Sequence, residues 1–263
     1  MELKKDNYPL LRNYRLVYQQ AFIPIFVKDD FDTETLLAGV RLAGVRAMEY
    51  TLRREDAHRV LPGLKKKFPE CAVLAGSTID APNIVRAMKP RFPQLMTLEE
   101  LAPFVDGFVS MLPFCDGTIR GYRDTHLMIP SAESSGEALR QMRSGATFIK
   151  HSGPGTDFTR KLHAAPTFNY CPTFITGGIS PDRMEEVYVA GDVLTAAGFD
   201  LILKGVDPDV LTPELVAQKL EVFLDTAKAA RLLAHPELEG IEQMSDGEFL
   251  RVLPNVCSIT SVQ

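Results

Sequence analysis

The chain has 263 residues, 45% of them apolar, and 29 basic against 34 acidic side chains leave a formal charge of −5. One sizeable core can be filled, so a mainly disordered chain is excluded, and the lack of a basic block argues against nucleic acid as the main partner. Cys71, Cys115, Cys171 and Cys257 stand far apart with no CxxC pair, the first twenty residues are too polar for a signal segment, and no apolar run reaches the roughly 18 residues of a membrane span, which together lead us to expect a cytoplasmic protein without membrane association.

Residues 21–27, AFIPIFV, read as a first strand. Asp32 then offers an N-cap, with Leu36, Leu37, Val40 and Ala43 following at helical spacing. The alternation continues with a strand at 45–52, a charged helix from Glu55 to Lys67, a strand at 72–79 and helical text from Pro82. Further strands are expected at 108–112, 126–131 (followed by a helix, SGEALRQMRS), 147–152, 172–178 and 193–197. In the last long helix Thr212 is the N-cap and Pro213 the first helical position, with Leu215, Val216, Leu220, Phe223, Ala227 and Ala230 on one broad face.

Eight strand–helix units in about 215 residues fit an α/β protein of the (β/α)8 TIM barrel type. An open doubly wound sheet would want a glycine-rich turn after its first strand, and KDDFDTE at 28–34 contains no glycine. We expect a single barrel domain over 21–235, with N-terminal (1–20) and C-terminal (236–263) extensions that are frayed or packed segments or, failing that, subunit arms.

Three places carry chemistry. Glu49, Thr51 and Arg53 lie two apart in the second strand and, if extended, project to one side, which in a barrel can be the interior. Alone they read equally well as a structural ion pair. Lys150 stands in the sixth strand between Ile149 and His151 and shares its side with Phe148 and Ser152. Desolvation and a nearby guanidinium push such an ammonium from about 10.4 toward neutrality, where the free amine attacks carbonyls; a lysine that snorkels to water is the bland alternative. In ITGGISP a strand ends at Gly177 and Gly178, and a helix starts with Ser180 as N-cap, a turn that exposes backbone N–H groups to an anion. Thr78 ends the third strand on the side of Gly76 and Leu74, its hydroxyl free for a substrate oxygen or bonded to backbone. His151 alternates to the opposite face and reads as packing. No histidine, cysteine or carboxylate spacing indicates a metal, and none is expected.

The stretches GVRAMEYTLR (44–53), PECAVLAGSTI (69–79), GATFIKHSGP (145–154) and ITGGISP resemble the 2-keto-3-deoxy-6-phosphogluconate and 2-keto-4-hydroxyglutarate aldolase family, over about residues 20–230. The resemblance implies a class I, metal-independent aldolase on a (β/α)8 barrel, with no cofactor and usually a homotrimer. It places the family's E-x-T-x-R glutamate on Glu49, its carboxylate-binding arginine on Arg53, its strand-three threonine on Thr78, its Schiff-base lysine on Lys150 and its TGG turn on Thr176, Gly177 and Gly178.

The chain departs from the family's pattern in three turns. His151-Ser152-Gly153-Pro154 replaces an aromatic–aromatic–Pro–Ala sequence, and Leu112-Pro113-Phe114 stands for Ser-Pro-Gly. Ala197-Gly198-Phe199 stands where a Gly-Gly-Ser turn helps to hold phosphate. Phe199 cannot donate the lost hydroxyl bond, which leads us to expect a weaker preference for a phosphorylated substrate.

The implied reaction is cleavage of a 2-keto-4-hydroxy acid to pyruvate and an aldehyde, with Lys150 forming the imine, Glu49 carrying protons, and Arg53, Thr78 and Thr176 holding the keto acid. Phe114, Phe199, Lys204 and His163 are candidates for the pocket of the aldehyde half. Rival readings are a phosphosugar isomerase or epimerase without a covalent intermediate, a catalytically silent keto-acid-binding barrel, and a metal-dependent aldolase.

Overall fold

The computed structural model describes residues 8–153, 156–165 and 171–252. Cys257, Pro154 and the outermost parts of both extensions lie outside the described residues. Strands and helices alternate in the expected order. The eight strands are β1 Phe22–Phe26, β2 Ala47–Thr51, β3 Ala72–Thr78, β4 Gly107–Ser110, β5 Leu127–Ile129, β6 Ile149–Ser152, β7 Thr173–Thr176 and β8 Asp192–Gly198. Helix α1 (Tyr8–Gln20) precedes them; α2 (Thr33–Leu42), α3 (Ala57–Lys67), α4 (Pro82–Met88) and α5 (Leu98–Leu101) lie between the early strands. They are followed by α6 (Asp116–Tyr122), α7 (Ser135–Ser144), α8 (Asp157–His163), α9 (Met184–Val189), α10 (Phe199–Ile202), α11 (Pro213–Ala234) and α12 (Asp246–Val252).

Local chemistry fixes where these elements begin and end. Asp32 accepts from the Thr35 amide at 2.8 Å and Thr212 from the Leu215 amide at 3.3 Å, satisfying donors that a helix start leaves open. Gly145 stops α7 in the left-handed conformation. Ser180 differs from expectation. Its backbone is extended as in an N-cap, but its side chain caps nothing in the short 3-10 turn Pro181–Arg183 that comes before α9.

All strand pairs are parallel, in the order β5-β4-β3-β2-β1-β8-β7-β6. The ring closes between β5 and β6 through the Ser131–Lys150 bridge, in which Lys150 N–H donates to Pro130 O at 2.9 Å and Ala132 N–H to Lys150 O at 3.0 Å. The result is a (β/α)8 barrel.

Two apolar layers follow from strand alternation. Ile23, Ile25, Leu74, Val109, Phe148, Phe174, Leu194 and Ala196 fill the interior, while Phe26, Tyr50, Val73, Phe108, Ile149 and Ile175 face the helices. Helix α1 closes the floor. Its Tyr14 stacks on the interior Phe148 at 5.1 Å and meets Phe249 of α12 edge-on at 6.0 Å. Asn13 donates to Asp106 at 2.9 Å, and Arg15 pairs with Asp246. The described parts of both extensions therefore pack against the same end of the barrel, opposite the C-terminal strand ends. Among the described residues, no helix is long and apolar enough to cross a membrane.

Candidate active site

Glu49 pairs in register with Ile25 on one side and Leu74 on the other, both interior residues, so alternation turns its carboxylate inward. Lys150 pairs with Phe174, also interior. The acid and the amine thus enter the same space from β2 and β6, across the barrel, and each is only 3% exposed. Burial pushes the Glu49 carboxyl up to about 7, against the opposing pull of Lys150 and then of Arg53. Burial also lowers the Lys150 pKa, helped by Arg53 and resisted by Glu49. Glu49 Oε2 is buried without a hydrogen-bond partner, which leaves it free to take or give a proton.

The neighbouring arginines Arg53 and Arg54 divide two tasks. Arg53 lies past the end of β2, exposed, and its guanidinium makes no hydrogen bond or ion pair among the described residues, though its charge reaches both Glu49 and Lys150. Arg54 is buried. It donates to Lys28 O and to Thr33 Oγ1 (2.7 Å) and pairs with Asp56 and Asp29 at 3.3 and 3.5 Å, tying the β1 loop to the β2 loop. Thr51, between Glu49 and Arg53 in the motif, donates to Phe26 O at 2.8 Å, holding the ends of β1 and β2 together.

The β3 end differs from simple alternation. Ala75 pairs with Phe108 but Thr78 with Ser110, so Gly76 and Ser77 together oppose the interior residue Val109, and Ser77 takes a left-handed φ of 57°. The bulge puts Thr78 on the side of Phe108 instead of that of Leu74, and its hydroxyl donates to Val109 O at 3.0 Å. A side chain at 76 would displace Glu49, because a Cβ there would stand 2.7 Å from Glu49 Cδ.

On β7, Thr176 is buried with its hydroxyl 3.5 Å from that of Ser152. Gly177 and Gly178 follow with φ of 97° and 72°, both exposed, in a conformation that side chains resist. Lys150 Nζ donates to Met111 Sδ at 2.8 Å, a contact that sequence reasoning missed. Met111 comes from the loop after β4 and is itself half exposed.

The four aldehyde-pocket candidates are dispersed by the fold. Phe199 is buried in the outer layer, edge-on to Phe26 at 4.8 Å, because it opens α10 on the helix side. Phe114 is buried, and the Gln141 amide clamps its backbone N–H and C=O at 3.1 and 3.0 Å. His163 lies beside Gly191 and Thr173, at the floor end. Lys204 is on the outer surface beyond α10. His151 packs as its alternation suggested, bonded to Asp192 at 2.9 Å and Thr159 at 2.8 Å. Among the described residues, no group of three His, Cys, Asp or Glu side chains is arranged to hold a metal ion.

No family model matches the chain. A 2-dehydro-3-deoxy-phosphogluconate aldolase of Pseudoalteromonas atlantica is 24% identical over 200 residues, covering 72% of this chain and 86% of the relative. Among solved structures, native KDPGal superimposes with a TM-score of 0.62 at 20% identity, over 80% of this chain and 95% of that one. The KDPG aldolase of Legionella pneumophila, with pyruvate captured as a covalent carbinolamine, gives 0.55 at 17% identity, over 86% and 98%. The resemblance read from the motifs is borne out by these names, and the barrel by the superpositions.

Proposed function

We propose that the chain is a class I aldolase that cleaves a 2-keto-4-hydroxy acid to pyruvate and an aldehyde, or joins the two. The observation that carries this reading is the desolvated amine of Lys150, with lowered pKa, facing a carboxyl raised to about 7 across a closed apolar interior.

In this reading the Lys150 amine adds to the keto carbon. Glu49 protonates the carbinolamine hydroxyl, and water leaves to give the iminium. The Glu49 carboxylate then takes the C4 hydroxyl proton. As the aldehyde forms, the C3–C4 electron pair moves into the iminium to give an enamine, so that the charge needs no metal. The proton on Glu49 returns to C3, and hydrolysis of the imine frees pyruvate and the amine. Arg53, with unengaged donors at the rim, clamps the pyruvoyl carboxylate by paired N–H bonds. Thr176 adds a hydroxyl, the Gly177–Gly178 turn offers its amides, and Thr78 acts through the backbone of β4. We further propose a cytoplasmic homotrimer; light scattering reads its oligomeric state.

Borohydride with pyruvate tests the chemistry. The expected result is a reduced pyruvyl adduct on Lys150 and none in Lys150→Met. Unchanged mass in folded wild-type protein would refute the reading.

A further inference from the structure

In (β/α)8 enzymes a phosphate group is commonly held by the loops after the seventh and eighth strands, beside the start of a short extra helix. Here those loops, with that of the adjoining β1, are acidic. Asp182 follows β7, Asp200 follows β8, and Asp29, Asp30 and Asp32 follow β1.

Three cations face them, each already paired, and the first is Arg54, which holds Asp29 at 3.5 Å. Arg183 pairs with Glu186 at 3.5 Å. Lys28 pairs with Asp200 at 3.1 Å across the gap between β1 and β8. The Asp200 carboxylate stands on the axis side of β8. Alternation from the interior residues Leu194 and Ala196 directs the open side of Gly198 inward, and a Cβ placed there would be 3.5 Å from Asp200 Cγ, closer to Oδ1, and 3.1 Å from Val27 Cγ2. The carboxylate therefore fills the inner edge of the mouth at the height of Ile25, the register partner of both Gly198 and Glu49.

We infer that Asp200, with Lys28 neutralised against it, sets specificity, and that the distal half of the substrate is uncharged and hydroxylated, not phosphorylated. A phosphate entering here meets the Asp200 carboxylate and a loop set in which Asp29 is already paired with Arg54, and finds its one nearby ammonium engaged; an alcohol can instead donate to Asp200. The inference rests on the aldolase reading and specifies the substrate class of that same site. It replaces Phe199, which lies behind the barrel wall, with its neighbour as the cause of a weakened phosphate preference.

The test compares kcat/KM for a 2-keto-3-deoxy-hydroxy acid and its 6-phosphate in wild type, Asp200→Asn and Lys28→Ala, with pyruvate–borohydride trapping on each. Wild type should favour the neutral substrate. Asp200→Asn should move the ratio toward the phosphate by roughly tenfold, with trapping unchanged, because one fixed charge beside the anion is removed. Lys28→Ala should move it the other way. Trapping without any preference for the neutral substrate, or an Asp200→Asn ratio equal to wild type, overturns this inference and leaves the aldolase standing. Absence of trapping in folded wild type overturns both.

Discussion

Glu49 occupies the space that a side chain on Gly76 would need: a Cβ at that position would lie 2.8 Å from Glu49 Cγ and 2.7 Å from Cδ. Gly76 belongs to β3, pairs with Thr51 and shares with Ser77 the bulge against Val109. The missing side chain on β3 thus lets the carboxyl of β2 lie flat against the wall and still face the amine. Gly76→Ala should fold, because the rotamer of Glu49 can shift, but should lose activity on the order of 100-fold, the scale of a misplaced general acid–base. Steady-state rates alongside a thermal melt check this; full activity would show that the placement of Glu49 is immaterial.

The raised pKa of Glu49 makes stability depend on pH. The folded chain keeps this proton up to about pH 7, whereas the unfolded chain releases it near 4.5. The unfolded state therefore binds fewer protons in that window, and stability falls as pH rises from about 4.5 to about 7, by at most about 3 kcal/mol at roughly 1.4 kcal/mol per unit. Glu49→Gln should abolish this slope and be the more stable protein at pH 8. Lys150 has the opposite sign at higher pH: its lowered folded pKa makes stability rise with pH until the unfolded amine loses its proton. Urea titrations between pH 4 and 9 separate the two, and an unchanged slope in Glu49→Gln would contradict the assignment.

Arg53 and Arg54 should fail in different ways. Arg53→Lys keeps the charge but loses the planar fork, so KM for the keto acid should rise roughly tenfold with the melting temperature unchanged. Arg54→Ala removes a buried guanidinium that serves the Lys28 and Phe31 carbonyls and pairs with Asp56, to which only Thr33 and Tyr50 then donate, and should cost about 3 kcal/mol of stability. Equal melting temperatures for the two variants would contradict this division.

Met111 guards the amine. Met111→Leu keeps the volume but removes the sulfur that accepts from Lys150 Nζ, so pyruvate trapping by borohydride should become a few times faster at neutral pH. Mild peroxide should slow wild type, because a sulfoxide oxygen is a stronger acceptor than a thioether, and should spare the leucine variant. A wild-type enzyme indifferent to peroxide while Met111 is shown oxidised would refute the contact's role.

Apolar runs bounded by turn residues were sufficient to read all eight strands, since buried parallel strands carry little else. Lys150 and Glu49 were legible for the same reason, as charges inside such runs. The β3 end was not: Ser77 adopts a left-handed φ without a glycine to announce it, and one extra residue reverses every inside–outside assignment after it. Phe199 lies in the outer layer and not in the pocket because a residue just past a strand follows the coming helix, not the strand's alternation. The contacts Lys150–Met111, Lys28–Asp200 and Arg54–Lys28 join loops far apart in sequence, and no local pattern encodes them. The closing of the floor by α1 was likewise invisible, because an amphipathic helix before a barrel does not say which surface it covers.

The ring of strands is fastened at the β5–β6 seam by the peptide groups of Lys150 itself, one donating to Pro130 and the other accepting from Ala132. Any breathing motion that unzips the cylinder there must carry the Lys150 amine away from its partners. Deuterium uptake at the Lys150 amide would therefore report how often the seam opens, and on the proposed reading a covalently tethered pyruvate should slow that uptake by acting as a rivet across the join.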